Sequence, residues 1–188
     1  MSTRKPPRDR PPLTTEKLNE LALRYVGRFA TTRARLRTYL ARKVRERGWD
    51  GAAGPDLNAL VERFAARGYV DDAGYALSKS RSLTARGYGK ARVVQSLRVA
   101  GVEENDAVEA RNLADREAVA AALRLAARKR IGPYAAEPGD PKMRERSLAA
   151  MVRGGHSFAL ARAIVVLAPG EDFDIEGLAE VAGCSADN

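Results

Sequence analysis

Val44-Arg45-Glu46-Arg47-Gly48-Trp49 ends an apolar, basic run with a glycine and a large side chain. The pattern returns as Leu97-Arg98-Val99-Ala100-Gly101-Val102 and Met151-Val152-Arg153-Gly154-Gly155-His156. Gly48, Gly101 and Gly155 stand 53 and 54 residues apart. A glycine just past such a run marks a helix end, because it enters the left-handed C′ conformation without a Cβ penalty. The recurrence predicts one helical module built three times. Stacked units with a period near 50 residues share a continuous core and offer a long surface to a partner, an architecture of binding more than of chemistry.

Working outward, Thr14 or Thr15 can cap a helix running to about Phe29, with Leu18, Leu21, Ala22, Tyr25 and Phe29 on one stripe. Thr31-Thr32 restarts the chain, and Leu36, Tyr39, Leu40 and Val44 form the apolar face of a second helix; Arg35, Arg42 and Arg45 fall opposite, with Arg37 on a flank. Pro55 suits the first turn of a third helix that carries Leu57, Leu60, Val61 and Phe64. Val70, Asp71-Asp72 and Tyr75 form a helix-start signal, followed by a break at Gly87-Tyr88-Gly89, a helix through Val93 and Leu97, and a cap at Asn105-Asp106. A long alanine-rich helix spans about Arg116 to Arg130; Pro141 begins the next, and Ser157 caps the last before Pro169. Nothing alternates with period two, so the expected fold is all-α, built of tandem three-helix repeats. The expected divisions are a flexible basic tail at 1–12, repeats at 13–70, 71–114 and 115–168, and an acidic C-terminal tail at 169–188.

Those five segments carry net charges of +3, +6, +1, +5 and −6, within a total of +9 and a pI near 10.0. Two basic modules flank a nearly neutral one, which favours a polyanionic partner or an acidic protein surface. The proline-rich, charged start lacks the apolar stretch of a secretory signal, and no apolar run approaches a membrane span. A lone Cys184 cannot form an intramolecular disulfide. A cytoplasmic protein with no membrane association is the expectation.

Catalytic patterns fail one by one. Gly87-Tyr88-Gly89-Lys90 resembles a phosphate loop, but Thr84 stands where the first glycine is required and Ala91 where Ser or Thr should follow the lysine. Asp71-Asp72 could serve as a metal or acid-base pair, yet a helix cap explains them without a ligand. His156 is the only histidine, so no triad can be assembled and the residue is expected to border a helix start. Trp49 and Tyr69 follow helix-ending glycines and are read as corner packing in preference to base-stacking groups. No enzyme activity, cofactor or metal is expected. The candidate contacts are the basic side chains Arg35, Arg37, Arg42, Lys43 and Arg45, with Arg47, in the first module, and Arg124, Arg128, Arg130, Arg144, Arg146 and Arg153, with Lys129, in the third. A simply solvated helix face is the competing explanation.

The stretch Gly68-Tyr69-Val70-Asp71-Asp72, then Arg86-Gly87-Tyr88-Gly89-Lys90 and Leu97 with Gly101-Val102, resembles the RecX family of bacterial RecA regulators. The Tyr39-Leu40 helix and Met151-Val152-Arg153-Gly154-Gly155-His156-Ser157 resemble its first and third repeats, so that the likeness covers about Leu21 to Leu167. It implies a monomer of tandem three-helix repeats in an elongated, curved arrangement, lodged in the groove of the RecA–DNA filament and suppressing ATP hydrolysis, strand exchange and co-protease activity in DNA repair, recombination and the SOS response. It implies no cofactor, no catalysis, and weak binding to single- or double-stranded DNA without sequence preference. The alternative is a direct DNA-binding regulator of helix-turn-helix type, reading one duplex in preference to others. A helical scaffold with no nucleic-acid role is a third possibility, and would bind neither RecA nor DNA.

Overall fold

Thr14 accepts the Lys17 amide on its hydroxyl at 3.4 Å and so starts α1, Thr15–Val26. Thr32 does the same for α2, Arg33–Arg47, through the Arg35 amide, and Asp56 for α3, Leu57–Ala66, through the Ala59 amide. The cap of α3 is therefore Asp56, and Pro55 precedes that cap instead of lying in the first turn. The structure, a computed structural model, describes residues 11–183; most of the basic tail and Cys184 lie outside that range. The chain divides into two units, Met1–Asp72 and Ala73–Asn188. The described residues hold ten α-helices and no β-strand, only a single parallel bridge between Leu13 and Trp49.

In the first unit, α1 to α3 enclose a core of Leu13, Leu18, Leu36, Leu40, Leu60, Val61 and Phe64. Helices of 10 to 15 residues are marginal in isolation. Burial of these side chains, roughly 1.5 to 3 kcal/mol each, is what holds them. Leu13 is fixed by main-chain bonds from its amide to the Gly48 carbonyl and from the Asp50 amide to its own carbonyl, both 3.0 Å. Trp49 packs at the edge of this core and donates its indole N–H to the Ala53 carbonyl at 2.7 Å. Tyr69 is half-exposed against the Phe64 ring. Because α1 ends at Val26, Phe29 leaves its expected stripe and is 57% exposed. Asp72, 2% exposed, accepts the Arg33 amide at 2.9 Å, so this carboxylate anchors the last residue of the first unit at the start of α2.

From α4, Asp72–Ala85, the chain continues through α5, Lys90–Ala100, α6, Val108–Arg116, and α7, Ala118–Lys129. A 3₁₀ turn at Gly132–Tyr134 leads to α8, Pro141–Arg153, α9, Phe158–Val165, and α10, Ile175–Gly183. Ala107, not Asn105 or Asp106, occupies the cap position of α6. In the second unit, Ala76, Leu83, Val93, Leu97, Ala110 and Ala114 form one cluster of largely small residues. Leu125, Met151, Leu160, Ile164 and Leu178 belong to another. Leu178 lies on α10, so the segment read as an acidic tail contributes a helix whose apolar side seals this last core. Leu178 and Val181 share a helix face, which charge counting over 169–188 conceals. Of the three glycines that mark the repeats, Gly101 adopts the left-handed cap conformation; Gly48 and Gly155 have φ of +79° and +94°.

Candidate functional site: cationic clefts on a glycine-locked scaffold

Within the second unit, the turn between α4 and α5 is pressed against the turn between α8 and α9. The Gly89 amide donates to the Gly154 carbonyl at 2.9 Å and the Ala91 amide to the Gly155 carbonyl at 3.1 Å. A Cβ on Gly89 would fall on the Gly155 carbonyl oxygen and 2.7 Å from the His156 nitrogen; one on Gly155 would lie 2.5 Å from the Arg92 nitrogen. Only glycine permits this approach, which explains the Gly-Tyr-Gly sequence without a bound nucleotide. His156 is buried beside Ser157, the α9 cap, and its Nε2 lies 3.1 Å from the Gly87 carbonyl. Burial lowers its pKa, and the hydrogen bond to Gly87 partly opposes that shift.

This junction shapes one wall of an open cleft of about 520 Å³ lined by Arg86, Tyr88, Leu125, Arg128, Lys129, Ala150, Arg153 and Gly154. Arg128 donates through Nη1 to the Arg86 carbonyl. The guanidinium of Arg86 lies 5.4 Å from the centre of the Tyr88 ring, and that of Arg92 lies 6.0 Å from it. A second open cleft, of about 550 Å³ in the first unit, is lined by Arg37, Arg45, Asp56 and Asn58, among others; Arg37 donates to the Asn58 amide oxygen at 3.2 Å.

The structure thus brings Arg37 to Arg45, and Arg128 and Lys129 to Arg153. Arg130 and Arg144 line a smaller hollow of about 120 Å³. Arg42 and Lys43 both bind Glu46, at 3.1 and 2.6 Å, and lie near the Tyr39 ring, which stacks on Tyr25 at 4.2 Å. The Lys43 hydrogen bond, helped by the charges of Lys43 and Arg42 against slight desolvation, holds the Glu46 carboxyl below its ordinary value. Arg124 is held by Glu117 at 2.7 Å and by the Thr84 carbonyl at 3.2 Å, and Arg47 by the Pro11 carbonyl at 2.8 Å. Arg35 and Arg146 are exposed and line none of these hollows. The sequence argument missed Arg86 and Tyr88 as cleft residues, because both sit in the nearly neutral module. An arginine directly preceding a glycine turn was the available signal.

Among the described residues no group of three or more His, Cys, Asp or Glu could hold a metal ion, and no helix is long and apolar enough to cross a membrane. Fold and site together define an all-helical protein that gathers part of its basic side chains into open clefts. No family model matches the chain. It is 35% identical over 158 residues to the regulatory protein RecX of Myxococcus xanthus, covering 79% of this chain and 83% of that one. It is 36% identical over 155 residues to RecX of a Mycobacterium species, covering 79% and 81%, and 30% identical over 149 residues to RecX of Agrobacterium fabrum, covering 77% and 79%. A crystal structure of RecX from Lactobacillus salivarius shares the fold, with a TM-score of 0.58 at 18% identity over 80% of this chain and 93% of that one. The chain belongs to the RecX family of regulatory proteins.

Proposed function

We propose that this chain binds the RecA–DNA filament and restrains RecA's ATP hydrolysis, strand exchange and co-protease activity, without catalysing a reaction itself. The observation that carries this reading is a pair of cationic clefts on a helical scaffold of the RecX family. Clefts with a surplus of positive charge focus the field towards a polyanion. The filament's DNA supplies such a polyanion, and an acidic face on its subunits would be a second target.

The test is RecA's DNA-dependent ATPase with and without this protein. Hydrolysis should fall as the protein is titrated onto the filament, and an unchanged rate would sink the proposal. A helix-turn-helix regulator would instead hold one duplex several kcal/mol more tightly than random DNA. Competition between duplexes of different sequence separates the two.

A further inference from the structure

The cleft of the second unit gathers four cations that no carboxylate lining it balances. Arg86, Arg128, Lys129 and Arg153 line it, with no carboxylate among the lining residues. Several basic groups elsewhere are met by acids: Arg42 and Lys43 by Glu46, Lys90 by Asp115, Arg111 by Glu104, Arg124 by Glu117. Among the described residues none of the four cleft cations is ion-paired.

Helix ends account for part of this. The C-terminal ends of α4 at Ala85, α7 at Lys129 and α8 at Arg153 all lie at the cleft. Each end carries about half a negative charge, so three supply about −1.5 against four full positive charges and leave roughly +2.5. A surplus of that size in a concave site calls for an anion from outside the chain.

We propose that this cleft seats the phosphodiester backbone of a nucleic-acid strand, with Arg86, Lys129 and Arg153 each reaching a separate phosphate. The cations come from three segments around an open cleft, which suits a strand passing through better than a single phosphate. Three of the four are arginines, whose planar forks match phosphate oxygens. The half-buried Tyr88 ring, which Arg86 approaches closely, adds a flat surface beside the backbone. The site rests on the proposed function for its setting, since the strand would be the filament's own DNA.

Anisotropy of a short fluorescent oligothymidylate, titrated with the full chain over a series of salt concentrations, tests the assignment. Lys129→Gln and Arg153→Gln alter exposed side chains, so circular dichroism should show an intact fold. Each lost contact to a single strand lowers the log–log salt slope by about 0.7. The double variant should therefore bind with a slope about 1.4 shallower and, with the two proteins equal at 1 M salt, about 25-fold more weakly at 0.1 M. Arg98→Gln, an exposed residue of α5 that does not line the cleft, should leave both unchanged.

An unchanged slope in the double variant would overturn the site, as would failure of the parent chain to bind the oligonucleotide. If that variant keeps its DNA affinity but loses inhibition of RecA's ATPase, the cleft faces an acidic protein surface and the assignment falls. If the double variant loses DNA binding while the parent never inhibits RecA, the cleft assignment stands and the proposed function is the one refuted.

Discussion

Replacing Gly89, Gly155 or Gly170 with alanine separates two costs that usually arrive together. Gly170 has φ of +71° and open space around its Cα. Alanine there meets only the left-handed backbone penalty, about 1 to 2 kcal/mol. Gly89 has φ of −84°, which any residue adopts, but its Cβ would land on the Gly155 carbonyl. Relieving that overlap means parting the two turns and weakening the Gly89–Gly154 and Ala91–Gly155 hydrogen bonds. At about 1 kcal/mol for each bond, plus the cost of a buried amide left without a partner, the loss should be about 3 kcal/mol. Gly155 combines φ of +94° with a Cβ 2.5 Å from the Arg92 nitrogen, so its substitution should cost about 4 to 5 kcal/mol. Gly89→Ala and Gly155→Ala disrupt the same junction, and the double variant should lose less than their sum. Urea unfolding followed by far-ultraviolet circular dichroism measures all four. Should Gly89→Ala cost no more than Gly170→Ala, the junction is looser than described and the close approach does not hold the turns together.

Other variants probe separate features. His156 has its pKa lowered by burial, so the unfolded chain takes up its proton first. Stability should hold above the ordinary value near 6.5 and fall as pH drops below it, a slope that His156→Gln should flatten in urea midpoints measured against pH. Truncating the fully buried Met151 to alanine should cost about 2 to 5 kcal/mol, read as a lower unfolding midpoint. Leu178→Ala should cost about 2 kcal/mol if α10 seals the last core, and nothing if that segment is merely solvated. Asp72→Ala leaves the Arg33 amide without this acceptor and should destabilise the first unit by about 3 kcal/mol, with Asp72→Asn recovering part of the loss in the same assay.

Local chemistry was easy to read from the chain, and long-range partnership was not. Thr14, Thr32 and Ser157 cap the helices their positions announce, because a capping hydroxyl finds its amide three residues away. His156 meets a carbonyl 69 residues distant, and no periodicity encodes that pairing. Arginine counts found the basic modules but could not separate Arg124, held by Glu117, from Arg153, which opens onto a cleft. The middle module hid Arg86 for a related reason. Its net +1 averages that side chain with carboxylates such as Glu103 and Glu109 on later segments, and cancellation in a sum is not neutralisation in space.

The bonds that join the Gly89 and Gly155 turns run between peptide groups, and that bears on how such a protein can diverge. Main-chain donors and acceptors survive nearly every substitution, so the junction demands glycine at a few positions and little of their neighbours. Arg86, Tyr88 and Arg153 can then be exchanged by drift or selection while the angle between helices is inherited unchanged. A lineage could retune its affinity for an anionic partner one side chain at a time, never passing through a misfolded intermediate.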